Sequence, residues 1–141
     1  MNCYNKFLIM ELFQKHITEI LILVFLSITF ILSGIEKITD WKGNVNFITA
    51  HFKNSPLKNF VPFLLMIVLV IELIASAFMV VGILQLSTNG KNEVALFGCV
   101  LSAITILFLL IGQRLAKDYV GAMSLTVYFI LTVFGVFLLN R

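Results

Sequence analysis

Four long apolar runs limit what this chain can become: Ile17–Ile35, Val61–Leu86, Val94–Gly112 and Val120–Leu139. Each is close to the ~20 residues an α-helix needs to cross about 30 Å of hydrocarbon, and polar segments separate them. A water-soluble core cannot absorb so much apolar surface. Of 141 residues, 60% are hydrophobic and 12% charged, with a mean hydropathy of +1.06, against about 45–50% and about 25% in soluble domains. The 14 Phe occur without sustained polar–apolar alternation, which argues against the strands of a membrane barrel. The sequence therefore reads as all-α: a single polytopic membrane domain over residues 1–141, built as a four-helix bundle.

The flanking segments refine this. Residues 1–16 mix Lys6, Lys15 and His16 with Phe7, Leu8, Ile9, Leu12 and Phe13, which suits an interfacial extension of the first span. Glu11 and Glu19 interrupt that stretch and SGIEK follows it without an A-x-A-like site, so it is expected to stay rather than be cleaved as a signal peptide. Between spans one and two, Trp41, Val45, Ile48 and Phe52 recur at +4, +3 and +4, with Lys42, Asn44, Asn46 and Lys53 mostly elsewhere on the wheel. That pattern is an amphipathic interfacial helix, with Thr39 or Asp40 available as its cap and Asn54-Ser55-Pro56 to stop it. The short LSTNGKNE segment makes spans two and three antiparallel neighbours.

Charge and cysteine use exclude several function classes. The net charge of +3 is scattered over the lipid-flanking segments, with no dense basic patch for nucleic acid. The expected partners are membrane lipid and other membrane proteins. Cys3 and Cys99 fall at different depths and form no C-x-x-C pair, so Cys99 reads as an apolar packing residue. His16 and His51 each lack a second His or Cys at helical spacing, and no metal site is expected.

One carboxylate stands out. Glu72 lies ten residues into the second span from Pro62, about 15 Å along the axis. An ionised group at that depth costs at least ~2.5–3.5 kcal/mol and faces protein or a water-filled cavity. Ala75, Ser76, Met79 and Gly82 share its side, and small residues let helices approach closely in lipid. Span three carries Gly98, Ser102 and Thr105 along one stripe, and span four Gly121, Leu125, Tyr128, Thr132 and Gly135. Glu72, Ser102 and Tyr128 are thus a candidate intramembrane polar site. Glu36, Lys37, Arg114 and Asp118 are a candidate charged mouth at one end of the bundle, with Arg114 and Asp118 four apart and able to pair on one helical turn. Lys37 has two readings, snorkelling outward at a membrane exit or turning inward.

The order SGIEK, an amphipathic segment, Pro56 and Pro62, VIELIASAFMVVGIL and then QRLAKDYVGA resembles the DoxX-like family of small four-span membrane proteins, over nearly the whole chain. The matching polar positions are Ser33, Gly34, Lys37, Glu72, Gly82, Arg114 and Asp118. The resemblance implies a multi-pass protein of the bacterial cytoplasmic (inner) membrane. Some relatives are subunits linked to quinone-dependent oxidation, which implies an accessory subunit of a quinone-linked redox system; the alternative is a non-catalytic scaffold or assembly factor. The chain lacks the paired cysteines of the MauE-type branch and a His pair for haem. No catalytic or redox-cofactor motif is present, so electrons would come from a partner, and a quinone or lipid is the ligand such a bundle would take.

Overall fold

The computed structural model describes residues 3–141, with side chains described for residues 7, 8 and 10–141; the side chains of Cys3, Lys6 and Ile9 lie outside that set. The protein is 88% helical, with no strand among the described residues. Helix α1 spans Cys3–Lys15, α2 Ile17–Thr39, α3 Trp41–His51, α4 Val61–Asn89, α5 Glu93–Leu115 and α6 Tyr119–Leu139, with one 3₁₀ turn at Lys58–Phe60. Four of them, α2, α4, α5 and α6, are long and apolar enough to cross a membrane. They alternate in direction and close into a ring in which α2 meets α4 and α6, and α5 meets α4 and α6.

Helix α4 organises the bundle because it is too long for the bilayer. Its 29 residues measure about 43 Å, against about 30 Å of hydrocarbon. Helices α1 and α3 pack against it as well as α2 and α5. Pro62 sits in its first turn, where a missing N–H is no loss, and Gly90 ends it with a left-handed φ of 68°.

The N-terminal segment departs from the expected straight extension of span one. The chain turns at His16, with φ −112° and ψ 22°, and Leu12 lies beside Gly90 at the end of α4. A continuous helix over residues 3–39 would run about 55 Å, far past the hydrocarbon, whereas the turn lets α1 cover the end of the bundle. At the opposite end, α2 continues beyond Ile35 to Thr39, which keeps Glu36 and Lys37 helical. Asp40 caps α3 by accepting from the Gly43 N–H at 3.0 Å. The inferred face of α3, Trp41, Val45, Ile48 and Phe52, is half-buried, while Phe47 is 73% exposed.

Small residues set the helix spacing. Gly82 faces the backbone of Ala95, and Gly98 faces that of Phe78 and Met79, so α4 and α5 meet main chain to main chain. Leu23, Leu26, Met79, Cys99 and Ile106 fill the centre, and Thr105 and Thr132 are buried with their hydroxyls bonded to Leu101 O and Tyr128 O. The glycine geometry orders two substitutions. A Cβ on Gly82 would sit 2.5 Å from the Ala95 Cα, whereas one on Gly34 would meet only side-chain atoms, of Leu73 at 3.1 Å and of Leu69 at 3.7 Å. Gly82→Ala is therefore expected to lose ~1–3 kcal/mol and several degrees of melting temperature in mild detergent, and Gly34→Ala clearly less. Thermal unfolding followed by circular dichroism checks the order.

Candidate functional site

Two residues from different depths of the sequence meet because of how helices aim their side chains. Every Cα–Cβ bond tilts toward its own helix N-terminus. Helices α2 and α4 are antiparallel, so Lys37 near the end of α2 leans into the bundle while Glu72 leans back toward it. At Gly34 the side-chain ends of Leu73 and Leu69 of α4 would lie 3.1 and 3.7 Å from an added Cβ. The Lys37 Nζ lies 3.0 Å from Glu72 Oε2 and 3.3 Å from Oε1. It also donates to Ser33 Oγ at 2.5 Å and reaches Ser33 O at 3.2 Å, and the Ser33 hydroxyl in turn donates to Glu72 Oε1 at 3.2 Å.

The group is closed and balanced. Glu72 is 3% exposed and Lys37 9%. Both carboxylate oxygens receive donors and the ammonium has acceptors on both helices, which is the condition under which a buried ion pair persists. In shape this is a clamp between α2 and α4. Removing one partner leaves the other charged and unpaired.

Neither Ser102 nor Tyr128 joins Glu72. Ser102 is fully buried, bonds Gly98 O at 2.9 Å and touches Met79 Sδ at 3.5 Å. Its level on α4 is thus that of Met79, about 10 Å along the axis from Glu72. Tyr128 stacks on Phe25 with centroids 6.0 Å apart, about 12 Å along α2 from Ser33.

The four charged-mouth residues also separate. Lys37 turns inward and Glu36 is exposed. Arg114 is exposed and lies over the Tyr119 ring at 5.0 Å. The Arg114–Asp118 pair does not form, because α5 ends at Leu115 and Lys117 takes a left-handed φ of 60°, which breaks the helical turn on which the two would meet. Asp118 instead caps α6 by accepting from the Gly121 N–H at 2.9 Å, and its Oδ2 lies 3.2 Å from His51 Nε2 on α3.

That last contact marks a site that sequence reading passed over. Beneath α3, between α4 and α5, lies a cavity of about 590 Å³, within the range of ~300–1,000 Å³ usual for small-molecule sites. Leu65, Val68 and Ile71 of α4 and Thr105, Phe108 and Leu109 of α5 form its walls, and Ile48 and Phe52 of α3 its roof. Its polar end is made by His51, Gln113 and Asp118. His51 Nε2 is 3.3 Å from Gln113 Oε1, and its ring stacks against Phe47 at 6.2 Å. Glu72 does not line this cavity. One signal for it was present in the sequence: an up-down four-span chain carries its first and third connections at the same end, which brings His51 toward the GQRLAKD string. Among the described residues, no three His, Cys, Asp or Glu side chains come together as a metal ion would need.

The model of the DoxX family matches residues 20–113. The chain belongs to the DoxX family. The matched segment of this DoxX-family protein contains the whole Ser33–Lys37–Glu72 clamp, α3 with His51, and both walls of the cavity; Asp118 and α6 lie beyond it. No curated protein and no solved structure gives a significant match.

The clamp makes a prediction with two arms. Lys37→Met strands the Glu72 carboxylate and is expected to lower stability by ~3–5 kcal/mol. Combining it with Glu72→Leu removes both charges and should recover most of that loss. Denaturant or thermal unfolding of the purified single and double variants in detergent measures the difference.

Proposed function

We propose that this multi-pass DoxX-family protein is an accessory subunit of a quinone-linked redox system in a bacterial inner membrane, and that its ligand site is the cavity between α3, α4 and α5. The observation that carries this reading is an apolar cavity walled by two membrane-length helices, with a polar end. Its walls include lipid-facing residues such as Phe108 and Ile111, so a ligand dissolved in the bilayer would enter sideways.

The donor set suits an uncharged ring bearing carbonyl or hydroxyl groups. The Gln113 amide N–H groups would donate to a ring carbonyl, and Asp118 would orient the His51 imidazole beside it. The Asp118 carboxylate disfavours an anionic head at the same place. When bound, a quinone supplies two-electron, two-proton chemistry; the chain's own residues hold its ring and keep water from the walls. His51 and Asp118 are partly exposed, and so join the polar end to the water at the α3 side of the bundle.

A cavity-filling variant tests the reading. A Cβ on Gly112 would meet only the Phe52 ring edge at 3.4 Å, an ordinary contact, so Gly112→Leu extends into the cavity without forcing the backbone. A photoreactive short-chain quinone should label the purified wild-type protein on α3, α4 or α5, and Gly112→Leu and Gln113→Leu should each reduce that labelling by about tenfold. Labelling unchanged in both variants would remove the quinone from this cavity.

A second reading, a scaffold or assembly factor, is favoured by the clamp, whose polar atoms are satisfied within the chain. Glu72→Gln does not isolate it, because that change strands Lys37. The charge swap Lys37→Glu with Glu72→Lys does. If the pair serves packing alone, the swapped protein should retain its co-purifying membrane partners and quinone-linked turnover in membranes.

A further inference from the structure

The outer face between α5 and α6 carries a second concavity, separate from the cavity under α3. Leu110 and Arg114 of α5 and Tyr119, Ala122, Met123, Thr126 and Val127 of α6 line it, with a volume of about 500 Å³. Its residues are spaced one turn apart on each helix, so it runs along the bundle axis, inward from the end that carries α3. Along α6 it extends about 12 Å, from Tyr119 to Val127. Below Tyr119 the lining is apolar apart from Thr126, whose hydroxyl is bonded to Ala122 O.

Arg114 is the unexplained group at its head. Among the described residues the guanidinium has no carboxylate within salt-bridge distance and no hydrogen-bond acceptor; the Tyr119 ring centroid lies 5.0 Å from its Cζ. The nearest carboxylate in sequence, Asp118, is committed to His51 and to the Gly121 N–H. The Tyr119 ring therefore lies beside the guanidinium at the mouth of an apolar groove, and the guanidinium N–H donors have no acceptor among the described residues. A planar fork of donors in that position matches the phosphate oxygens of a lipid headgroup, and the groove beneath it matches the acyl chain. Lys117, exposed on the adjoining turn, adds to the positive potential there.

We infer that this groove is a binding site for an anionic phospholipid, its phosphate on Arg114 and one acyl chain between α5 and α6. The inference does not rest on the quinone reading, since the two sites share no lining residue. The charge of the site selects the lipid: Arg114 lines it, Lys117 lies on the adjoining turn and no carboxylate lines it, so phosphatidylglycerol is favoured over the zwitterionic phosphatidylcholine.

Native mass spectrometry of the full chain, released from detergent supplemented with equal amounts of the two lipids, tests this. Wild type should retain phosphatidylglycerol about fivefold over phosphatidylcholine, and Arg114→Gln should abolish that preference. Val127→Trp, a lipid-facing change that fills the lower groove, should weaken retention of both lipids; it keeps the test decisive if the arginine variant proves unstable. Equal retention of the two lipids by wild type would overturn the proposal, and so would an unchanged preference in Arg114→Gln. Full displacement of the lipid by millimolar inorganic phosphate would also overturn it, since that outcome describes a site for free phosphate with no role for the acyl chain.

Discussion

The bundle depends on two opposite charges that meet where water does not reach. In hydrocarbon neither Lys37 nor Glu72 has an acceptable state alone. Together with Ser33 they form a neutral, internally bonded unit, and forming it requires α2 and α4 to lie antiparallel, close, and in one axial register. The tilt of the two side chains sets the offset. Apolar contacts between helices cannot impose register in this way, because lipid tails offer Leu and Val much the same surroundings as a neighbouring helix. With α2 and α4 fixed, Gly82 and Gly98 seat α5 against α4, and α6 closes the ring against α5 and α2.

The parts of this fold that are legible in the sequence are those governed by one-dimensional rules. Hydrophobic length locates the four spans, and the small-residue stripes of α4, α5 and α6 identify the faces that turn inward. The polar site was less legible. Glu72 is conspicuous on its own helix, but its partner is a lysine close to the helix end, where the same spacing also fits snorkelling to the surface. Only the antiparallel pairing decides between the two, through the direction in which Lys37 leans. The Arg114–Asp118 spacing misleads for a related reason. Four residues apart implies contact only while the helix continues, and the left-handed Lys117 ends it.

The cavity under α3 is a property of assembly. His51 ends α3, Gln113 lies in the last turn of α5 and Asp118 in the turn after it, and none is unusual in its own segment. They converge because α3 folds back across the bundle end and the turn after α5 rises to meet it. The two functional elements then differ in kind. The clamp is closed and internally satisfied, as befits a group that holds shape, whereas the cavity is bounded by aliphatic walls and one hydrogen-bonding corner, as befits a place for a guest.

The position of Lys37 also bears on how the protein is made. Helix α2 leaves the ribosome before α4 exists, so Lys37 enters the bilayer without its counter-ion. Two residues from the end of α2, it can keep its ammonium at the surface at that stage, with α2 seated high. Only once α4 arrives and Glu72 reaches depth can the pair form. The clamp is therefore a late event in biogenesis: insertion of the first span comes before its final seating, and the carboxylate of a helix made later completes the placement of one made earlier.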